Sequence, residues 1–166
     1  MTYPQQARTF PEPTEEEITR PYQKIFTLVN VRYFGGELPP IEIIYPEAPS
    51  ISPRDRKELR ERNALGCFLY DPARRLPPLI CLGIKKDIRA GVTIEDINTL
   101  YHEMIHYYCY LHGIEDIYMY DRDYHTFDFK RAVEAHGGEC GYCGIIKGYA
   151  DAHLPAGELW EIWEAF

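Results

Sequence analysis

Residues 94–113 read IEDINTLYHEMIHYYCYLHG. Ile97, Leu100, Tyr101, Met104, Tyr108 and Leu111 recur at steps of three and four, the period of a helix with one face in a core. Both ends are marked. Thr93 caps the first turn, Asp96 three residues on reaches back as the second half of a capping box, and Gly113 supplies the left-handed stop. Inside the helix lies His102-Glu103-Met104-Ile105-His106. The four-residue step puts both imidazoles on one face, one turn apart, where they can share a metal ion. Glu103 then points along the edge of the site towards a metal-activated water. Solvated histidines would be misplaced in so apolar a helix, which favours a metal site over a pair of surface side chains.

A catalytic zinc takes three protein ligands and keeps one position open. His112, six residues past His106, lies on another face and suits the last helical turn. The best candidate is His125, in DRDYHTFDFKRAVEAHGG (residues 121–138). A second helix read from His125 puts Phe129, Ala132, Val133 and His136 on one stripe, with His125 at its buried start. An acidic residue of the 115–123 stretch, among Glu115, Asp116, Asp121 and Asp123, is the alternative; that stretch reads as a solvated loop.

Around this centre the chain reads as α+β. Residues 1–13 are Pro-rich and polar, a flexible leader. Thr14 with Glu17 gives a capping box, but Pro21 is expected to break or restart the helix, which Tyr22, Ile25, Phe26, Val29 and Tyr33 then carry to Gly35-Gly36. Ile41–Tyr45, Leu65–Tyr70 and Leu79–Gly83 are short apolar runs that predict a small three-stranded sheet beside the metal helix. Ser52-Pro53 can open an exposed helix over the charged run that follows. At the end of the chain, Leu159, Ile162, Trp163 and Phe166 share a helical face, expected to dock on the domain's own core.

The 166 residues are enough for one domain, and 45% hydrophobic with 14% aromatic content is globular rather than disordered. No basic start leads into an apolar core and no run approaches spanning length, so neither a signal peptide nor a membrane helix is expected. Five cysteines without framework spacing suit reduced thiols and a cytoplasmic location. Net charge is −8, yet residues 50–90 carry +5 and the rest −13. A basic middle segment on an acidic chain offers at most a local patch to nucleic acid, and a set of solvated loops is the simpler reading.

Several of these segments together resemble the SprT-like zinc metalloprotease domain, also found in Spartan-type proteases. They are Asn30 to Pro39 (NVRYFGGELP), Leu65-Gly66, Ile80-Cys81-Leu82, Thr99 to His106 (TLYHEMIH), and His125 four residues before Phe129. The resemblance covers roughly residues 20–137, and the order of several motifs makes it more specific than HExxH alone. It implies His102, His106 and His125 as zinc ligands, Glu103 as catalytic general base, and a compact zincin-like metallopeptidase domain of helices around a small sheet over residues 14–137. It also implies protein or peptide substrates, in Spartan-like members proteins crosslinked to DNA.

The resemblance lapses beyond residue 137. Many SprT-like proteins continue into a zinc ribbon with two CxxC pairs, whereas this chain has the single pair Cys140 and Cys143. Residues 138–166 therefore read as a Gly/Cys turn followed by a short docked helix. His136 and His153 could complete a Cys2His2 set, but the spacing matches no standard finger and free thiols are the expectation. Tyr101, Tyr107, Tyr120 and Tyr124 are candidate oxyanion donors, and Asp121 and Asp123 candidate partners for the ligand imidazoles. The expected function is zinc-dependent peptide hydrolysis. The alternative is a non-catalytic metal-binding adaptor for nucleic acid or a transcription-linked partner, in which Glu103 would have no task.

Overall fold

The computed structural model describes residues 12–62, 64–70, 77–118, 121–143 and 148–166, and only the backbone of 118, 121–123, 142–143 and 148–151. The elements are α1 (Glu15–Tyr33), β1 (Glu42–Ile44), α2 (Pro53–Glu61), β2 (Cys67–Leu69), β3 (Leu79–Cys81), α3 (Ile94–His112), β4 (Ile117–Tyr118), β5 (Asp121–His125), α4 (Phe127–Ala135), β6 (Glu139–Cys143), β7 (Gly148–His153) and α5 (Ala156–Ala165).

α3 forms as its signals dictate. Thr93 and Asp96 make the reciprocal capping box, and Gly113 closes the helix at φ 63°, a left-handed conformation that a Cβ would penalise. Its apolar stripe is buried at Ile97, Leu100, Tyr101 and Met104, whereas Leu111 in the last turn is 42% exposed, because the helix has run past the core by then.

α1 overturns the expectation at Pro21. The helix runs unbroken through it, with the Thr14–Glu17 capping box fixing the first turn. Proline removes the bond to the Glu17 carbonyl and crowds it. Ile18, Tyr22, Ile25, Phe26 and Val29 are all buried on this helix, and the Tyr22 hydroxyl donates to the Ile88 carbonyl at 3.3 Å. Burial of the flanking residues outweighs one lost hydrogen bond. Beyond the helix, Asn30 both donates to the Leu38 carbonyl (2.8 Å) and accepts from the Leu38 N–H (3.1 Å), clasping the turn that delivers the chain to β1.

The three predicted strands form one sheet in the order β1-β3-β2, with β1 parallel and β2 antiparallel to β3. Its Ile43, Ile80 and Leu82 join Ile25, Val29, Leu100 and Met104 in the main core between α1, α3 and the sheet. α2 lies outside it, N-capped by Ser52 and pinned by Arg60, which donates to the Gly83 and Ile84 carbonyls and pairs with Glu47.

A second sheet, β4-β5-β7-β6, was not expected. The 115–123 stretch read as a solvated loop instead forms the β4–β5 hairpin, and the Gly/Cys turn after residue 137 forms β6 and β7. These strands alternate weakly in the sequence, and pairing along their backbones supplies what side-chain pattern did not. The leader up to residue 11, Tyr120, and the side chains of Asp121, Asp123 and Cys143 lie outside the described residues. α5 docks on α3 and α1, burying Ile162 and half-burying Leu159 and Trp163. Phe166, expected on that face, is 44% exposed. Among the described residues no helix is long and apolar enough to cross a membrane.

Candidate metal centre

α3 supplies His102 and His106 one turn apart, and β5 brings His125 against them. His125 is the last residue of β5, not the first of a helix as the stripe suggested; Thr126 is the cap that separates strand from helix, accepting from the Phe129 N–H at 3.1 Å. The Thr126 N–H donates to the Asp116 carbonyl at 2.9 Å and its hydroxyl to the Glu115 carbonyl. One residue thus ends the strand, starts α4 and ties the 115–116 stretch to His125.

The three rings share a floor. Phe129, fully buried, stacks on His125 with centroids 4.0 Å apart and lies 4.8 Å from His106 and 5.6 Å from His102. Held on this ring, the Nε2 atoms converge. His102 Nε2 and His125 Nε2 lie 3.2 and 3.1 Å from His106 Nε2. Nitrogens about 2.0–2.1 Å from a tetrahedral ion stand about 3.3 Å apart, so the three fit one ion. All three histidines offer ligand atoms within 4.8 Å of one another.

The electrostatics agree with that fit. Burial, and then the neighbouring His106 and His125, hold the His102 imidazole well below its ordinary pKa, in the neutral form that coordinates a metal. His106 Nδ1 lies 2.6 Å from Asp116 Oδ2. Burial raises the Asp116 carboxyl, but the hydrogen bond and charge of His106 outweigh it and leave the net shift downward. An ionised Asp116 can only accept, so His106 donates from Nδ1 and presents the Nε2 lone pair to the centre. Asp116, weighed from the sequence as a ligand, here holds the ring of His106. Only the fold distinguishes it from its acidic neighbours.

His102 has a different partner. Its Nδ1 accepts from the Ala152 N–H of β7 at a long 3.3 Å. Coordination through Nε2 would require the proton on Nδ1, the atom that here faces the Ala152 N–H.

Glu103 is 6% exposed at the edge of the same site, and its Oε2 accepts from the Phe68 N–H at 2.7 Å. Burial raises its carboxyl pKa, opposed by His106 and by that N–H. The Phe68 N–H is available because Phe68 sits on β2, the outer strand, with this N–H directed away from β3. Gly66 allows the approach: a Cβ there would stand 2.7 Å from Thr99 Cγ2 of α3. The three histidines, Glu103 and β2 all line one open cleft of about 810 Å³.

Of the candidate oxyanion donors, Tyr101 is spent on the Val133 and His136 carbonyls (3.3 and 3.2 Å) and Tyr107 packs on Phe68. Tyr124 lines the cleft. His112 packs at a tilt against Tyr108 at the far end of α3, ring centroids 4.2 Å apart. His136 donates from Nδ1 to the Ala132 carbonyl and stacks on Phe34, while His153 faces Glu139 at 3.5 Å, so the structure brings neither to the other. Compared with protein-family models, with curated proteins and with solved structures, the chain matches none.

Proposed function

We propose that this chain is a zinc-dependent peptidase of the SprT-like, zincin-like kind, with His102, His106 and His125 as metal ligands and Glu103 as general base. The observation that carries the reading is the convergence of three Nε2 atoms beside a buried carboxylate in one open cleft. The motif resemblance supports it. Three imidazoles also accept other divalent ions, and zinc is proposed because the donor set is all nitrogen with room for a fourth ligand.

When bound, the ion would supply a Lewis acid that polarises a peptide carbonyl and acidifies water at the open position. The chain's own residues account for the rest. Asp116 holds the His106 tautomer. Phe129 keeps the imidazoles in register. The Phe68 N–H aims the Glu103 carboxylate, whose raised pKa brings it nearer the range where it can take a proton from water and return it to the leaving amine. β2 is an edge strand on the cleft; its outward Phe68 N–H is held by Glu103, which leaves the outward carbonyl of Phe68 for an extended substrate lying beside it. The adaptor reading gives Glu103 only the task of tying α3 to β2 through the Phe68 N–H, with no use for its place beside the three imidazoles.

The test is Glu103→Gln in zinc-reconstituted protein against a quenched-fluorescent peptide mixture. Zinc content and thermal midpoint stay as in the wild type, while cleavage falls by about 10²- to 10⁴-fold. Equal cleavage by the two proteins removes Glu103 as general base.

A further inference from the structure

Most described cations of the basic segment, residues 50–90, already have a partner, a carboxylate for four of them and a backbone carbonyl for two. Arg56 donates to the Pro46 carbonyl, Lys57 faces Glu61, and Arg60 pairs with Glu47. Lys85 caps the Arg60 carbonyl, Lys86 pairs with Asp96, and Arg89 with Asp87. Among the described residues of this segment, only the Arg54 and Arg62 guanidinium groups have no ion pair or hydrogen bond. Of those two, only Arg62 lines the cleft.

Arg62 is the C-cap of α2, exposed, and lines the cleft along with Gly66, Cys67 and Phe68, the last two on the edge strand β2. The Glu103 carboxylate on the same cleft is already bonded to the Phe68 N–H at 2.7 Å. The guanidinium is therefore a positive group exposed in the same cleft as Glu103, with its own donors unspent. Five N–H groups in a planar fork match one carboxylate bidentately. A polyanion is a poorer fit. Nucleic acid binding depends on several phosphate contacts made together. Here Arg54, the other described cation of the segment without a partner, does not line the cleft, and Asp55 and Glu58 line the adjoining groove together with Arg62 on a chain of net charge −8.

The geometry points to Arg62 as a specificity-determining residue that pairs with an acidic side chain of a peptide lying along β2. This rests on the peptidase reading for its substrate. It can be measured without cleavage.

The experiment uses positional peptide pools carrying Glu, Gln or Lys at each position in turn, with full-length zinc-reconstituted protein. Cleavage is read in the wild type, and binding by fluorescence anisotropy in Glu103→Gln. Each is repeated with Arg62→Gln and Arg62→Glu. At low salt, the Glu pool at one position is favoured over its Gln counterpart by about threefold to tenfold, mostly in KM, as expected for one solvent-screened ion pair. The preference disappears in Arg62→Gln, turns towards Lys in Arg62→Glu, and fades as salt is raised. If the wild type cuts Glu and Gln pools alike, or the preference survives Arg62→Glu, the assignment is wrong and the peptidase reading stands. If binding discriminates through Arg62 but no pool is cut, the assignment stands and the peptidase reading falls. Absence of any discrimination in binding overturns the assignment. So does a result in which Arg62→Glu instead abolishes single-stranded DNA binding, which would make phosphate the anion.

Discussion

Asp116 carries more of the site than its place in an acidic stretch suggests. Its carboxylate, 2.6 Å from His106 Nδ1, selects the tautomer that leaves Nε2 free. Asp116→Ala should therefore loosen metal binding by about 10- to 100-fold in a chelator competition, with Asp116→Asn between the two because its carbonyl oxygen still accepts. A second prediction concerns Cys109, fully buried on α3. Burial pushes its thiol pKa up to about 12. A free thiol ionises near about 8.5, so the unfolded chain loses this proton first. Stability from this group is intact below that pH and declines as pH rises towards the folded value. Denaturant midpoints measured between pH 8.5 and 10.5 should fall less steeply in Cys109→Ala than in the wild type, and iodoacetamide should label Cys109 only after unfolding.

Among the elements, α1 is the one whose local signals and tertiary setting disagree. Pro21 lacks the N–H that would meet the Glu17 carbonyl, and the helix persists because Ile18, Tyr22 and Ile25 around it are buried. Restoring the bond with Pro21→Ala should raise stability by about 1–3 kcal/mol, read as a higher denaturant midpoint with unchanged m-value. A lower midpoint would mean that the proline ring packs better than the bond it displaces. α3 shows the opposite case. Capping box, apolar stripe and left-handed glycine agree with one another and with the core, which is why its bounds were readable to the residue. β5 and β7 lie between these cases: their sequences carry little alternation, and they exist as strands through pairing with each other and with β4 and β6.

In the whole molecule, the candidate centre joins parts that are far apart in sequence. α3 belongs to the core with α1 and the first sheet, while His125 arrives on the second sheet. An ion shared between them links the two, so metal should stabilise the fold globally. At a free zinc concentration about 100-fold above Kd the gain is about 2.7 kcal/mol, a thermal midpoint shift of about 5–10 °C that a chelator reverses and His125→Ala lacks. A midpoint indifferent to zinc in the wild type would remove the shared ion. The sequence by itself determined what depends on neighbours along the chain: the metal helix with its caps, the histidine pair at a four-residue step, Glu103 beside it, three short strands, and His125 as the choice for a third imidazole. Periodicity and capping are local, and local rules suffice there. Tertiary structure alone decided the rest. It put the carboxylate of Asp116 against His106, made strands of a stretch that read as loop, carried α1 through a proline, paired Lys57, Arg60, Lys86 and Arg89 of the basic segment with carboxylates, and left Arg62 unpaired in the cleft. Each of these depends on which distant backbone or charge comes within a few ångströms, and that is set by packing rather than by the order of residues.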